Sequence, residues 1–168
     1  MNLPIVLLVD DEPSVVEGLE LRLRSKAFRV MTATSAARAL EVMSQHEVAV
    51  VVSDERMPGM PGSEFLTVVA RTFPETARII LTGQASVEAA MKAINEAKVS
   101  HFLTKPCDAK ALRALIERTL VEQLVEPAPA PDKQQGAMRL LETLHPGIGA
   151  VRRDESGAVL LDDVEDAA

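Results

Sequence analysis

The sequence has no tryptophan and no tyrosine, and aromatic residues make up only 2% of it. A core built from this chain must be made of Val, Leu, Ile, Ala and Met. The same scarcity argues against a nucleic-acid surface that stacks bases on aromatic rings. Positive charge is in deficit, with 18 Lys and Arg against 25 Asp and Glu, a net charge of -7 and a pI near 5.0. That balance disfavours direct contact with a phosphate backbone, and no helix-turn-helix with a basic face is visible. A single cysteine, Cys107, cannot form an internal disulfide, so a reducing compartment is the simplest reading. The start, Met1-Asn2-Leu3-Pro4, lacks a charged leader, and no apolar run reaches the roughly 20 residues that a membrane helix needs. Neither a signal peptide nor a membrane span is expected, and the expected location is cytoplasmic.

What the chain does have is a set of short, unbroken apolar runs that end in charge. Val48-Ala49-Val50-Val51-Val52 leads into Ser53-Asp54, and Ile5-Val6-Leu7-Leu8-Val9 leads into Asp10-Asp11-Glu12. A strand that is apolar at every position suits a sheet covered on both faces. Between such runs the pattern turns helical. Pro13 and Ser14 suit a helix start, and Val15, Val16, Leu19, Leu21 and Leu23 fit an amphipathic helix to about Ser25. Phe28 to Ala33 reads as a strand, and Thr34 or Ser35 caps a helix with Ala36, Ala37, Leu40 and Met43. The run to Asp54 is followed by a Pro- and Gly-rich loop, Glu55 to Gly62, and a helix from Ser63 to Thr72. Arg78 to Thr82 is a fourth strand, Ser86 caps the next helix, and His101 to Thr104 is a fifth strand. Asp108 caps a last helix through Leu112, Leu115, Ile116, Leu120 and Leu124.

Strand and helix alternate with short connections, which predicts parallel strands joined by right-handed crossovers. The fold class expected is α/β: a five-stranded, parallel, doubly wound sheet of the flavodoxin type with flanking helices. This domain spans residues 1–126. A Pro/Ala linker follows at 127–132. Residues 133–168 form an extension with a helix from Lys133 to Leu144 and a small hairpin. The hairpin arms are Ile148 to Val151 and Ala158 to Leu161, and the chain ends acidic. From residue 132 onward there are eight acids and four bases, net -4. That segment is too short for a core of its own.

In a parallel sheet the C-terminal strand ends share one edge, where ligands bind. Here those ends carry Asp10, Asp11, Asp54, Thr82 and Lys105. Three crowded carboxylates stay ionised only with a compensating cation, so a hard divalent metal, Mg²⁺ or Mn²⁺, is implied. The backbone carbonyl of Arg56 can complete its shell. Asp54 is the candidate nucleophile toward phosphorus, with the Lys105 ammonium and the Thr82 hydroxyl placed to hold the added charge.

Four segments carry a resemblance. They are Leu8-Val9-Asp10-Asp11-Glu12; Val52-Ser53-Asp54 with Met57-Pro58-Gly59 and Gly62; Leu81-Thr82-Gly83; and Phe102-Leu103-Thr104-Lys105-Pro106. Through them, residues 3 to 125 resemble the receiver domain of two-component response regulators. The resemblance implies that Asp54 accepts a phosphoryl group from a sensor histidine kinase or phosphotransfer protein. It implies that Asp10 and Asp11 hold Mg²⁺, that Thr82 and Lys105 contact the phosphoryl group, and that the Lys105–Pro106 bond is cis. Thr82 and Phe102 match the family's switch positions, although Phe102 lacks the hydroxyl of a tyrosine. Arg56 and Gln84 match positions that tune phosphoryl lifetime. The loop and the Leu-Thr-Gly-Gln run look most like receivers of HD-GYP-type regulators, yet no such output enzyme domain is visible. The protein is therefore not expected to be an enzyme beyond accepting its phosphoryl group and slowly shedding it. A homodimer and an unknown output protein are the expected partners.

Blander readings exist for each part. Asp10-Asp11-Glu12 can be a solvated first helical turn, Cys107 a small packing residue, and His46, His101 and His145 surface or core residues. A phosphohydrolase of the haloacid-dehalogenase kind would carry a second Asp where this chain has Arg56. A receiver-like scaffold that works without phosphorylation is the principal alternative.

Overall fold

The computed structural model describes residues 2–83 and 95–125, together with a strand pair at 152–153 and 159–160. The elements are β1 (Ile5–Val9), α1 (Pro13–Arg22), β2 (Arg29–Ala33), α2 (Ala36–Gln45), β3 (Val48–Asp54), α3 (Gly62–Thr72), β4 (Ala77–Thr82), β5 (His101–Thr104) and α4 (Ala109–Leu124). The five strands form one sheet in the order β2-β1-β3-β4-β5, parallel at every pairing. This is the expected doubly wound architecture, and β3 lies at its centre.

The apolar runs work as two-faced strands. Alternate residues point to opposite faces. Leu7, Val9, Val51 and Ile80 join one core cluster with Ala39 and Met43 of α2 and Phe65, Leu66 and Val69 of α3. Val6, Leu8, Val50, Val52, Ile79 and Leu81 join a second with Val16 of α1 and Leu112, Ile116 and Leu120 of α4. Ser35 and Asp108 cap α2 and α4 through side-chain bonds from Arg38 N and Lys110 N. No helix among the described residues is long and apolar enough to cross a membrane.

Several boundaries differ from the sequence expectation. Helix α1 ends at Arg22, not near Ser25. The Ser25 hydroxyl instead accepts from Ala27 N and donates to Glu117 of α4, a local side-chain alternative to the helical ladder. Leu21 is 62% exposed, because five residues beyond Val16 lies about 140° around the helix, off the buried stripe. Strand β2 starts at Arg29, with Phe28 buried just before it. Helix α3 begins one residue earlier than expected, at Gly62.

In the C-terminal extension, Arg152 pairs with Leu160 and Arg153 with Val159 in antiparallel fashion. A hairpin is thus present, but its first arm lies just after the expected Ile148–Val151, because Arg153 is the residue set opposite Val159. The expected linker at 127–132, the helices at 86–94 and 133–144, and Gln84 lie outside the described residues.

Candidate functional site: an acidic triad bridged by a lysine

The site is assembled by backbone bonds that continue past the strand ends. Asp10 N donates to Ala33 O at 3.2 Å, Glu55 N to Leu81 O at 2.8 Å, and Lys105 N to Thr82 O at 2.7 Å. Asp54 pairs with Leu81 in register, and Thr82 with Thr104. Residues far apart in sequence are thereby held at one edge of the sheet.

Asp10, Asp11 and Asp54 each place a carboxylate oxygen within 4.8 Å of the others. Asp10 and Asp54 are buried and Asp11 half-buried. Lys105 Nζ bridges the two buried acids, 2.8 Å from Asp10 Oδ2 and 2.9 Å from Asp54 Oδ1. Asp10 Oδ1 also accepts from Glu12 N at 3.0 Å, which orients that carboxylate. An all-oxygen donor set with this crowding and burial fits a hard divalent cation such as Mg²⁺. Asp11 opens onto a cleft of about 570 Å³ lined also by Glu55, Arg56, Met57, Pro58 and Pro61.

The electrostatics are those of a charge held under stress. Burial pushes the Asp54 carboxyl above its usual 3.8; the Lys105 hydrogen bond and charge oppose this, while Asp10 and Asp11 add to it. For Lys105, burial works against the charged form, but Asp10 and Asp54 together outweigh it and the net shift is upward. A carboxyl whose folded value exceeds its unfolded value contributes its full stability below the unfolded 3.8 and loses it as pH rises through the folded value. Ionised Asp54 therefore opposes folding at neutral pH when no metal is bound. Metal-free Asp54→Asn is expected to melt above the wild type at pH 7, with the gap closing toward pH 4. Thermal denaturation in chelator at both pH values checks this, and a gap that widens in acid would contradict it.

The other expected residues are also located. Thr82 is buried at the end of β4. Phe102 is 5% exposed and belongs to the core cluster that holds Ile80, Ala97 and Val99. Arg56 is exposed at the cleft. The Lys105–Pro106 bond is cis. Cys107 is half-buried, beside Asp108.

Residues 6–117 match the family described as response regulator receiver domain. The chain belongs to that family. This receiver is 38% identical over 129 residues to the transcriptional regulatory protein GlrR of Escherichia coli K12, covering 77% of this chain and 28% of GlrR. The chain thus spans about a quarter of the length of the curated relatives it matches. Among solved structures, it matches the signal receiver domain of an HD domain-containing protein from Pseudomonas fluorescens Pf-5. The TM-score is 0.71 at 31% identity, over 74% of this chain and 100% of that one. A CheY-like receiver domain protein from Methanospirillum hungatei JF-1 gives a TM-score of 0.71 at 26% identity, over 75% and 100%.

Two features of the receiver's site escaped the sequence reading. Glu55 does not join the acidic triad; its carboxylate accepts from Ser63 N and Ser63 Oγ, both at 2.8 Å. Gly62 lies so close to β3 that a Cβ there would meet Asp54 O at 2.1 Å. A usable signal for the first was Pro61: the helix N-cap position holds a residue whose side chain accepts no hydrogen bond.

Proposed function

We propose that this receiver is a phosphoacceptor of two-component signalling in which Asp54 takes a phosphoryl group from a histidine kinase or phosphotransfer protein. The observation that carries the reading is the Lys105 bridge across Asp10 and Asp54 within the triad. An Asp54 oxygen attacks phosphorus, the P–N bond of the donor's phosphohistidine breaks, and the imidazole nitrogen leaves with its electron pair. Lys105, already 2.9 Å from Asp54, pairs with the phosphoryl charge, and Thr82 supplies a hydroxyl at the same edge. Asp10, Asp11, Asp54 and the Arg56 carbonyl would hold Mg²⁺, which when bound neutralises oxygen charge on the transferring group. The chain's own part is to hold the Asp10, Asp11 and Asp54 carboxylates within 4.8 Å of one another.

Phosphorylation biases the receiver between two states by favouring one of them. Thr82 and Phe102 are the residues through which the surface around β5 and α4 would change, acting on a second copy or an output protein. The receiver unit ends with α4, and residues 133–168 take part in that output. Arg56 and Gln84 set the lifetime of the acyl phosphate. Loss of the exposed side chain in Arg56→Ala is expected to change the dephosphorylation rate, read as decay of radiolabel. An unchanged rate would remove Arg56 from that role.

The deciding experiment combines beryllofluoride, a mimic of the acyl phosphate, with Mg²⁺ and the full chain. Fluorine NMR reads binding and light scattering reads mass, with Asp54→Asn as control. Binding that requires Asp54 supports the phosphoacceptor. An Asp54-dependent change in mass adds assembly as its output. Absence of binding would favour a scaffold that works without phosphorylation.

A further inference from the structure

Helix α3 starts without a cap of its own. Its N-cap residue is Pro61, which supplies no side-chain acceptor, yet the first N–H groups of a helix need partners. Glu55 supplies them from outside the helix. Its carboxylate takes the Ser63 N–H and the Ser63 hydroxyl, and its backbone carbonyl takes the Gly62 N–H at 2.9 Å. Three bonds therefore clasp residue 55 to residues 62 and 63. The segment between them, 56–61, is closed into a loop that begins two residues after Asp54. Within the loop, Gly59 is left-handed at φ 82° and Met60 N donates to Pro58 O at 3.1 Å. Met57 is buried, while Arg56, Pro58 and Gly59 are exposed. Met57 belongs to the core cluster of α2 and α3 and Met60 packs against it, so packing anchors the middle of the loop while the clasp ties its two ends together.

We propose that Glu55 is a positioning residue for the metal site: its carboxylate fixes the 56–61 loop, and hence the Arg56 backbone, against the Asp10–Asp11–Asp54 triad. This rests on the phosphoacceptor reading, in which that triad and the Arg56 carbonyl hold Mg²⁺. Glu55 acts by hydrogen bonding to Ser63 and not by lending negative charge to the cation. Outer partners that orient a metal's ligands typically account for about 10- to 100-fold in affinity.

The two modes of action separate in one substitution. Glu55→Gln keeps an oxygen for the Ser63 N–H and offers its amide to the Ser63 hydroxyl, but it removes the charge. Glu55→Ala removes both bonds. Mg²⁺ affinity of the full chain is measured by amide chemical-shift titration with MgCl₂, alongside thermal melts in chelator to confirm folding. Glu55→Ala is expected to bind Mg²⁺ about tenfold more weakly than wild type, and Glu55→Gln to stay within about twofold of it. Ser63→Ala, which keeps the N–H contact, falls between them and serves if Glu55→Ala does not fold. Equal affinities for wild type, Glu55→Ala and Ser63→Ala would overturn the proposal. So would a Glu55→Gln protein as weak as Glu55→Ala, which would make Glu55 a charge donor to the ion. A wild type that binds no Mg²⁺ would instead overturn the phosphoacceptor reading beneath it.

Discussion

Lys105→Ala is expected to lower the rate of phosphoryl transfer to Asp54 by about 10²- to 10³-fold, the usual effect of deleting one preorganised donor to a developing oxyanion. The same substitution is expected to tighten Mg²⁺ binding. In the receiver as it stands, Lys105 Nζ sits 2.8 Å from Asp10 and 2.9 Å from Asp54, so an ammonium already occupies part of the field that an incoming cation would feel. Removing it takes away the ammonium that bridges two of the three carboxylates and leaves them with a stronger pull on the metal. A residue that only stabilised the fold would depress both properties. Stopped-flow phosphorylation from a small-molecule donor, paired with a Mg²⁺ titration, reads the two effects separately. Transfer within about threefold of wild type would show that Lys105 does not hold the phosphoryl group.

Gly62→Ala is expected to destabilise the receiver by about 3 kcal/mol, a fall of roughly 10 °C in Tm for a domain of this size. The added Cβ would stand 2.1 Å from Asp54 O and 2.9 Å from Asp54 C. These are backbone atoms of the central strand, and no side-chain rotation can relieve the overlap. Either α3 moves away from β3, opening the core around Phe65 and Leu66, or the end of β3 shifts and carries Asp54 with it. Gly18 is the matched control. It lies within α1 with nothing within 4 Å of a Cβ, so Gly18→Ala should hold or raise stability by up to about 1 kcal/mol. Calorimetric melting of the two variants decides the matter. A Gly62→Ala protein that melts with the wild type would mean that the helix start relaxes in solution.

Strand ends were legible in the sequence because an unbroken apolar run in a two-faced sheet has only one place to put a carboxylate, and that is past its end. Asp10, Asp54, Thr82 and Lys105 are found there. The caps at Ser35 and Asp108 were legible for a similar reason, since each bonds a backbone N–H two or three residues away. Arg78 was not legible. The sequence shows a charged residue in a strand, whereas the fold buries it at 9% exposure and satisfies its guanidinium with the carbonyls of Ala97, Thr76, Pro74 and Lys98. Two of those acceptors, Pro74 and Thr76, lie in the turn just before β4, but the other two, Ala97 and Lys98, come from the segment before β5, about 20 residues on, which no local pattern encodes.

The sequence by itself determined the α/β class, the parallel strands implied by short crossovers, the two-sided core and the identity of the acidic residues. All of these follow from local periodicity and from the absence of alternatives for burying so many aliphatic side chains. Tertiary structure alone decided how those residues meet. Lys105 bridges Asp10 and Asp54 across 95 and 51 positions of chain, Glu55 turns away from the triad to clasp α3, and Gly62 lies against the Asp54 carbonyl. Each depends on the distance between two segments, and that distance is set by the packing of the whole sheet and its helices, not by any residue's neighbours in sequence.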